Sequence, residues 1–398
     1  MRLFLSAGEP SGDLHGANLA ALLKARYPAA ELVGFGGERM ASAGVKLIYP
    51  LTNLAVMWLG RVLVNLPTFF HLGAKAESYF RTRRPDAVIL IDYPGFHWHI
   101  AQRAHRYGIP VYYFVPPQLW AWAGWRVNKV KRHFRAVLTA MPFEDEWYRQ
   151  RGVRTHYVGH PYFDEILHQK LDAGFMAEQR AKPGEIVSLL PGSRTQEVLG
   201  NFPMMLNAAK IIAAKRPGVR FLVAGYREKQ AAPMRQQLID CGLDIELHLG
   251  RTPEIIELST VCIAVSGSVG LEMLVRLKPT VVVYRAGAVV YWLSKVLRTS
   301  RYISLVNLLA DAELFPEFPI RTDESVAIAG KILHWLDHPD DRAAAVEKLR
   351  ELRDRVAVPG AVARAAAFLI SEISPHFFDG VASASTAVAQ PVAAHEMN

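Results

Sequence analysis

Several short stretches join a small-residue turn to one charged or hydroxylated side chain, and each suggests its own chemistry. The first is Ser6-Ala-Gly-Glu-Pro-Ser-Gly-Asp13, which follows the apolar run Leu3–Leu5 and precedes an amphipathic segment. Gly8 and Gly12 permit close backbone approach, and Ser11 and Asp13 are helix-capping types. A plain strand-to-helix turn explains all of these. It leaves Glu9 over: a carboxylate in front of free backbone N–H groups suits sugar hydroxyls or a proton transfer. The pattern is not Gly-x-Gly-x-x-Gly, so it carries no dinucleotide fingerprint.

Two further loops suit phosphate. In Leu189-Leu-Pro-Gly-Ser-Arg194, Gly192 and Ser193 expose backbone donors and Arg194 adds a fixed cation, a set fit for a diphosphate without metal. Arg194 can equally do no more than pair with Glu197. In Ser266-Gly-Ser-Val-Gly-Leu-Glu272, Ser266, Gly267 and Ser268 lead into a helix, and Glu272 stands one turn inside it. An acid there takes ribose hydroxyls or merely complements the helix dipole. Two such loops in one half of a chain point to a nucleotide.

Asp92 closes the apolar run Ala87–Ile91. A charge there is costly unless it faces a cleft or a partner, which makes Asp92 a candidate general base, or else a turn former before Tyr93-Pro-Gly. His97 and His99 read as helix-start polar residues, since no carboxylate spacing supports a metal site. Trp120, Trp122 and Trp125 follow two prolines at non-helical spacing. Core packing, stacking on sugar faces and a lipid interface are all open to them. Met141–Glu144 and Val158–Pro161 end further apolar runs and are candidates to line the same cleft. His160 is equally a turn histidine.

The elements that must carry these loops alternate between strand and helix. Strand-like runs at Leu3–Ala7, Leu32–Phe35, Ala87–Asp92, Pro110–Val115, Ala136–Met141 and His156–Gly159 are separated by helical segments. The pattern restarts with Ile186–Pro191, Arg220–Gly225 and later runs ending in Thr280–Arg285. Continuous apolar strands in βαβ order specify parallel sheets covered on both faces. The expected fold is therefore α/β, two Rossmann-like parallel-sheet domains facing across a cleft, with ligand at the carboxyl ends of the strands. The expected division is a domain at 1–170, a linker at 171–185 and a second domain at 186–345. Helices at 346–375 are expected to pack back on the first domain, with a disordered tail at 380–398.

Composition narrows the function classes. A length of 398 residues favours two domains, and a formal charge of +9 favours an anionic partner. The basic residues are scattered apart from Arg126–Arg135, and no nucleic-acid motif accompanies that stretch, so nucleic acid is not the expected partner. Two cysteines, Cys241 and Cys262, form neither a zinc motif nor a disulfide framework, which fits a cytoplasmic setting. No uncharged apolar run reaches the roughly 18 residues of a spanning helix. The nearest approach is Leu54–Gly73, interrupted by Arg61, Asn65 and Pro67. It is open to three readings: a buried helix pair, an interfacial segment, or a hydrophobic substrate pocket.

Taken in order, SAGEPSGDLHGA, LAVMWLG, IDYPGF, WAW, PFE, GHP, LLPGSR with Glu197, GSVGLE, VVYR and ISLVNLLA make the sequence resemble the lipid-A-disaccharide synthases. These are inverting glycosyltransferases of the two-domain GT-B type, and the likeness extends to about Ile373. It implies transfer from UDP-2,3-diacylglucosamine to 2,3-diacylglucosamine 1-phosphate (lipid X), giving the disaccharide 1-phosphate and UDP. It implies Asp92 and Glu9 as catalytic residues, with Gly192, Ser193, Arg194, Ser266, Gly267, Ser268, Glu272, Arg285 and Asn307 on the donor. Ser11, Trp120, Trp122, Val62, Leu63, Leu66, Phe69 and Phe70 would face acceptor or lipid. Neither cofactor nor metal is implied. The resemblance further implies a cytoplasmic protein bound peripherally to an anionic inner-membrane surface, and a homodimer formed by exchange of carboxyl-terminal portions. The family commonly carries Phe-Asn where this chain has Phe96-His97, and Val-Trp-Ala-Trp where it has Leu119-Trp-Ala-Trp122. The alternatives are another UDP-sugar enzyme, such as a GlcNAc transferase or a UDP-GlcNAc 2-epimerase relative, or a non-catalytic lipid- or nucleotide-binding protein. The first would lack the Leu54–Gly73 stretch and the second would not need Glu9, Asp92 and Arg194 together.

Overall fold

A computed structural model describes residues 1–55, 59–285, 301–320 and 322–374, with the side chains of 55–65, Trp122 and Ile320 left aside. Two wholly parallel sheets are described. The first contains β1 (Arg2–Ala7), β2 (Glu31–Phe35), β3 (Lys46–Tyr49), β4 (Ala87–Ile91), β5 (Val111–Phe114), β6 (Ala136–Thr139) and β7 (Thr155–Tyr157). The second contains β8 (Ile186–Leu190), β9 (Arg220–Gly225), β10 (Ile245–Leu249), β11 (Val261–Val265), β12 (Thr280–Arg285) and β13 (Glu317–Ile320).

The buried positions of the central strands β1, β4, β8 and β11 are apolar apart from Ser6 and Ser188, because helices cover both faces of each sheet. All five residues of β4 are fully buried, and the one polar side chain of β1's buried stretch is Ser6. One face of the first sheet packs against helix Pro10–Arg26 through Leu19, Ala20 and Leu23. The other face is aromatic: Phe4, Phe35 and Phe80 meet with centroids 5.0–5.4 Å apart. Helices Leu59–Arg83 and Pro94–Arg106 lie on that side. In the second sheet, helices Thr195–Lys215 and Ser325–Asp337 cover one face and Pro161–His168, Val269–Val275 and Pro339–Val356 the other. Buried area of this kind contributes about 25 cal/mol per Å², so sealing both faces is what holds such strands together.

Strand order decides where a ligand can sit. The first sheet runs β3-β2-β1-β4-β5-β6-β7 and the second β10-β9-β8-β11-β12-β13. In each, the chain moves outward from its first strand and then returns to that strand's other side. Loops leaving the two central strands therefore diverge and open a crevice at their carboxyl ends. Those strands are β1 and β4 in the first sheet, and β8 and β11 in the second. The loops after them begin at Gly8, Asp92, Pro191 and Ser266, the stretches whose composition suggested chemistry.

The passage between the sheets lies earlier than the expected linker at 171–185. That segment holds a helix, Ala173–Ala181, whose Asp172 cap accepts the Phe175 N–H at 3.0 Å. Helix Pro161–His168 already puts Phe163 and Ile166 into the second core, so the chain leaves the first sheet near Gly159. The carboxyl-terminal helices also divide. Leu349, Leu352 and Val356 of Pro339–Val356 stay in the second core, and helix Ala361–Ile373 alone returns to the first through Val362, Ala365 and Leu369. Apolar stripes on different sides of the Pro359-Gly360 break account for the split. The two crossings are tied together. Asp164 accepts N–H bonds from Gly360, Ala361 and Val362 at 2.5, 3.3 and 3.0 Å, capping the returning helix. Arg364 donates to the carbonyls of Val158 and Pro359, both at 2.8 Å. The expected tail at 380–398 lies outside the described residues.

Asp164→Ala is expected to lower the unfolding free energy by about 1–2 kcal/mol, the value of a lost helix cap. A urea titration followed by circular dichroism measures it, and an unchanged midpoint would contradict this role for the carboxylate.

Candidate active site

The first half of the site forms where the loops after β1 and β4 touch. A Cβ on Gly8 would fall 2.2 Å from the Tyr93 ring, so only glycine fits beneath that ring. Asp92 and Tyr93 both adopt left-handed backbone, with φ of +51° and +53°. For side chains other than glycine, such conformations cost about 1–3 kcal/mol each and persist only where neighbours over-determine them. The neighbours are present. Tyr113 donates its hydroxyl to the Asp92 carbonyl at 3.1 Å, and His97 Nδ1 lies 2.6 Å from the same oxygen. The Ser6 hydroxyl lies 2.8 Å from the far ring nitrogen, His97 Nε2. The turn lifts the Asp92 side chain out of the ladder while its N–H still donates to Phe114 at 3.2 Å. Burial, reinforced by the charge of Glu9, raises the Asp92 carboxyl to about 6, against the pull of the Tyr93 N–H and Arg194. It is thus ionised at neutral pH and close to the range that suits a general base.

The second half forms at the loop after β8. Gly192 has φ +112°, and a Cβ there would lie 2.7 Å from Glu197 Oε2. Arg194 is exposed at the start of helix Thr195–Lys215 and donates to Glu197 Oε1 at 2.7 Å. Glu197 Oε2 also accepts the Arg194 N–H at 3.3 Å. The pairing of Arg194 with Glu197 is therefore real, but it does not use up the guanidinium. Arg194 reaches across to Glu9 at 3.8 Å. Glu9, Asp92 and Arg194 come from three different loops and two sheets, and they share one electrostatic environment. Ser193, Gly267 and Ser268 are exposed near the strand ends, and Ser266 donates to the Ile303 carbonyl at 3.3 Å.

The remaining residues expected on the donor differ in exposure, two being enclosed and one open. Glu272 is 2% exposed and binds Arg276 at 3.1 Å and the Tyr162 hydroxyl at 3.3 Å. Asn307 is fully buried, and its amide is saturated. It donates to Phe315 O and Glu317 Oε1 and accepts from the N–H groups of Leu314 and Phe315. With all four bonding positions used it shapes its loop and has no atom left for a ligand. Arg285 is exposed at the end of β12 and donates to the Gly200 carbonyl at 3.1 Å.

The aromatic loop differs most from the sequence-based expectation. It starts from Val115, a β-branched residue at φ +53°, a genuine backbone outlier. Trp120 is 9% exposed and packs edge-on against Phe143 at 4.9 Å, and its indole N–H donates to Glu144 at 3.3 Å. Its ring anchors the loop instead of facing an acceptor, and Trp125 is 62% exposed. Burial raises the Glu144 carboxyl to about 8, although it also accepts the Ala140 N–H at 3.1 Å. Ser11 is exposed one residue into the opening helix. Asp13 faces inward and accepts N–H bonds from Gly37 and Met40 at 2.7 and 3.2 Å, so it caps the neighbouring helix Glu38–Ser42. Leu66 and Phe70 are exposed on helix Leu59–Arg83, whereas Phe69 is half-buried against Phe96 at 5.4 Å. The side chains of Val62, Leu63 and Trp122 lie outside the described residues. Sequence reasoning missed Ser6 and Tyr113 altogether, since both look like ordinary strand residues until the turn brings the Asp92 carbonyl to them.

Comparison with known proteins bears on the family and the fold. Residues 3–358 match the family model described as lipid-A-disaccharide synthetase. The lipid-A-disaccharide synthase of Myxococcus xanthus is 32% identical over 94% of this chain and 98% of its own. That of Syntrophus aciditrophicus is 33% identical over 93% and 97%. Among solved structures, UDP-GlcNAc 2-epimerase from Neisseria meningitidis superposes with a TM-score of 0.65 at 12% identity, covering 93% of this chain and 100% of that one. The glycosyltransferase of kitacinnamycin superposes at 0.60 with 15% identity, covering 94% and 98%. At such low identity these two establish the GT-B type fold alone. The family follows from the near full-length relatives: this chain belongs to the lipid-A-disaccharide synthases, which are glycosyltransferases.

Proposed function

We propose that the protein transfers 2,3-diacylglucosamine from its UDP derivative to the 6-hydroxyl of 2,3-diacylglucosamine 1-phosphate, with inversion. Asp92 takes the proton of that hydroxyl as its oxygen attacks the anomeric carbon from the face opposite UDP. The bond from the anomeric carbon to the diphosphate oxygen breaks, and UDP leaves with the electron pair. The Arg194 guanidinium and the N–H groups of Gly192 and Ser193 bind the diphosphate and stabilise the charge that develops on it. Ser266, Gly267 and Ser268 serve the nucleotide from the neighbouring strand end, with Arg285 beside them. Glu9 orients the acceptor and, by its charge, keeps Asp92 basic.

The observation that carries this reading is the approach of Arg194 to Glu9 at 3.8 Å, with Asp92 in the field of both. The test is UDP release by the purified protein. Release that requires both diacylated substrates supports the reading. Release with UDP-GlcNAc replacing the diacylated donor, or none with the correct pair, contradicts it.

The acyl chains call for an apolar approach, and we place it at helix Leu59–Arg83, where Leu66 is 40% and Phe70 62% exposed. In this reading the protein works at the cytoplasmic face of the inner membrane, held by that helix and by its positive charge. Changing Leu66 and Phe70 together to Ser is expected to weaken association with phosphatidylglycerol vesicles by about tenfold, from the apolar area lost. Cosedimentation measures it, and unchanged association removes the helix from this role.

A further inference from the structure

We propose that His97 is a positioning residue for the transfer: it acts through the Asp92 carbonyl to hold the base in its raised, left-handed turn. This rests on Asp92 being the base. The hydrogen-bond geometry fixes the state of the ring. A carbonyl oxygen only accepts, so the proton of the neutral imidazole sits on Nδ1, 2.6 Å from Asp92 O. Nε2 is then an acceptor and takes the Ser6 hydroxyl at 2.8 Å. Ser6, His97 and Tyr113 are all fully buried, so no water substitutes for any of them. Burial holds the imidazole far below its ordinary range, at about 3, so the ring stays neutral and keeps this one tautomer throughout the working pH range.

A histidine that only filled core space would leave its polar atoms a burden on the fold. Here both ring nitrogens are used, and both serve a single bend in the backbone. Tyr113 adds the second donor to the same oxygen at 3.1 Å, and burial keeps its phenol protonated. His97 also packs edge-on against Tyr93 at 5.8 Å, the ring that closes over Gly8 next to Glu9. One side chain thus fixes the backbone under the base and the aromatic ring over Gly8. Without the Nδ1 donor, only Tyr113 of the two side-chain donors remains on the Asp92 carbonyl, and relaxation of Asp92 toward extended backbone would turn its carboxylate away from Arg194.

The experiment is a steady-state double-mutant cycle with UDP-diacylglucosamine and lipid X. His97→Phe is expected to lower kcat by about 10- to 100-fold with donor KM within about threefold, the split expected when placement of a reacting group is lost but binding is kept. It should also move the acid limb of the kcat profile, because Asp92 would no longer sit against the Tyr93 N–H, Glu9 and Arg194. His97→Asn, whose amide can occupy the Nδ1 position, should recover kcat to within about threefold of the parent, a rescue that keeps the assay informative if the Phe variant is poorly folded. In an Asp92→Asn background, His97→Phe should cause no further loss. An equal loss in both backgrounds, or an unchanged kcat and pH profile for His97→Phe, overturns the proposal. A defect in Asp92→Asn with none in His97→Phe overturns it alone, whereas full turnover by Asp92→Asn overturns the base assignment and this inference with it.

Discussion

Asp92→Asn is expected to reduce kcat by about 10²- to 10⁴-fold, the range for loss of a positioned general base, while UDP affinity changes by less than about threefold. The substitution keeps size and polarity, so the Tyr93 N–H and the two donors on the carbonyl remain in place. Only the proton acceptor is lost. The wild-type pH profile carries the same information. With burial and Glu9 raising the carboxyl to about 6, Asp92 is protonated and inactive below that pH and ionised above it. The kcat/KM of the wild type should therefore rise with pH through about 6 and level off, and the residual kcat/KM of Asp92→Asn should lack that step. Near-normal turnover by Asp92→Asn, titrated alongside calorimetry with UDP, would remove Asp92 from the chemistry.

The second large effect is expected at Arg194. Arg194→Ala should lower kcat/KM for the donor by about 10²-fold or more, as removal of one transition-state donor does in other transfer reactions. UDP should bind more weakly as well, since in the proposed reaction the guanidinium meets both the bound donor and the leaving group. Arg194→Lys keeps the charge without the planar fork and should recover part of the loss. The fold should tolerate both, because Arg194 is largely exposed and its partners Glu197 and Glu9 remain solvated. Equal donor kinetics for Arg194→Ala and wild type would mean that the diphosphate sits elsewhere.

The sheets and their crevices were largely legible in the sequence. A run such as Ala87–Ile91, apolar throughout and ended by Asp92, has few readings other than a buried parallel strand with a charge at its mouth. The edges were not. β3 is short and half-exposed, and β13 contains Pro319, which an edge strand accommodates because one side of it makes no ladder bonds. The crossing at Gly159 was hidden because Pro161–His168 looks like a closing helix of the first half, and only packing assigns Phe163 to the second. Within the site, charges at strand ends announced themselves: Glu9, Asp92 and Arg194. Enclosure did not, so Trp120 and Asn307, whose types suggest ligand contact, proved to be fastened inside their own loops. In the sequence His97 looks like an ordinary helix-start residue, because its partner is a backbone carbonyl placed by a left-handed turn that the side-chain types at Asp92 and Tyr93 do not advertise.

The proposed transfer needs one space shared by the two sheets, and a structure of the protein with UDP tests that most directly. The diphosphate should lie within hydrogen-bond distance of the Arg194 guanidinium and the N–H groups of Gly192 and Ser193, with the Asp92 carboxylate facing the same space from the first sheet. UDP seated at other strand ends, or an Asp92 side chain turned away from the diphosphate, would contradict it.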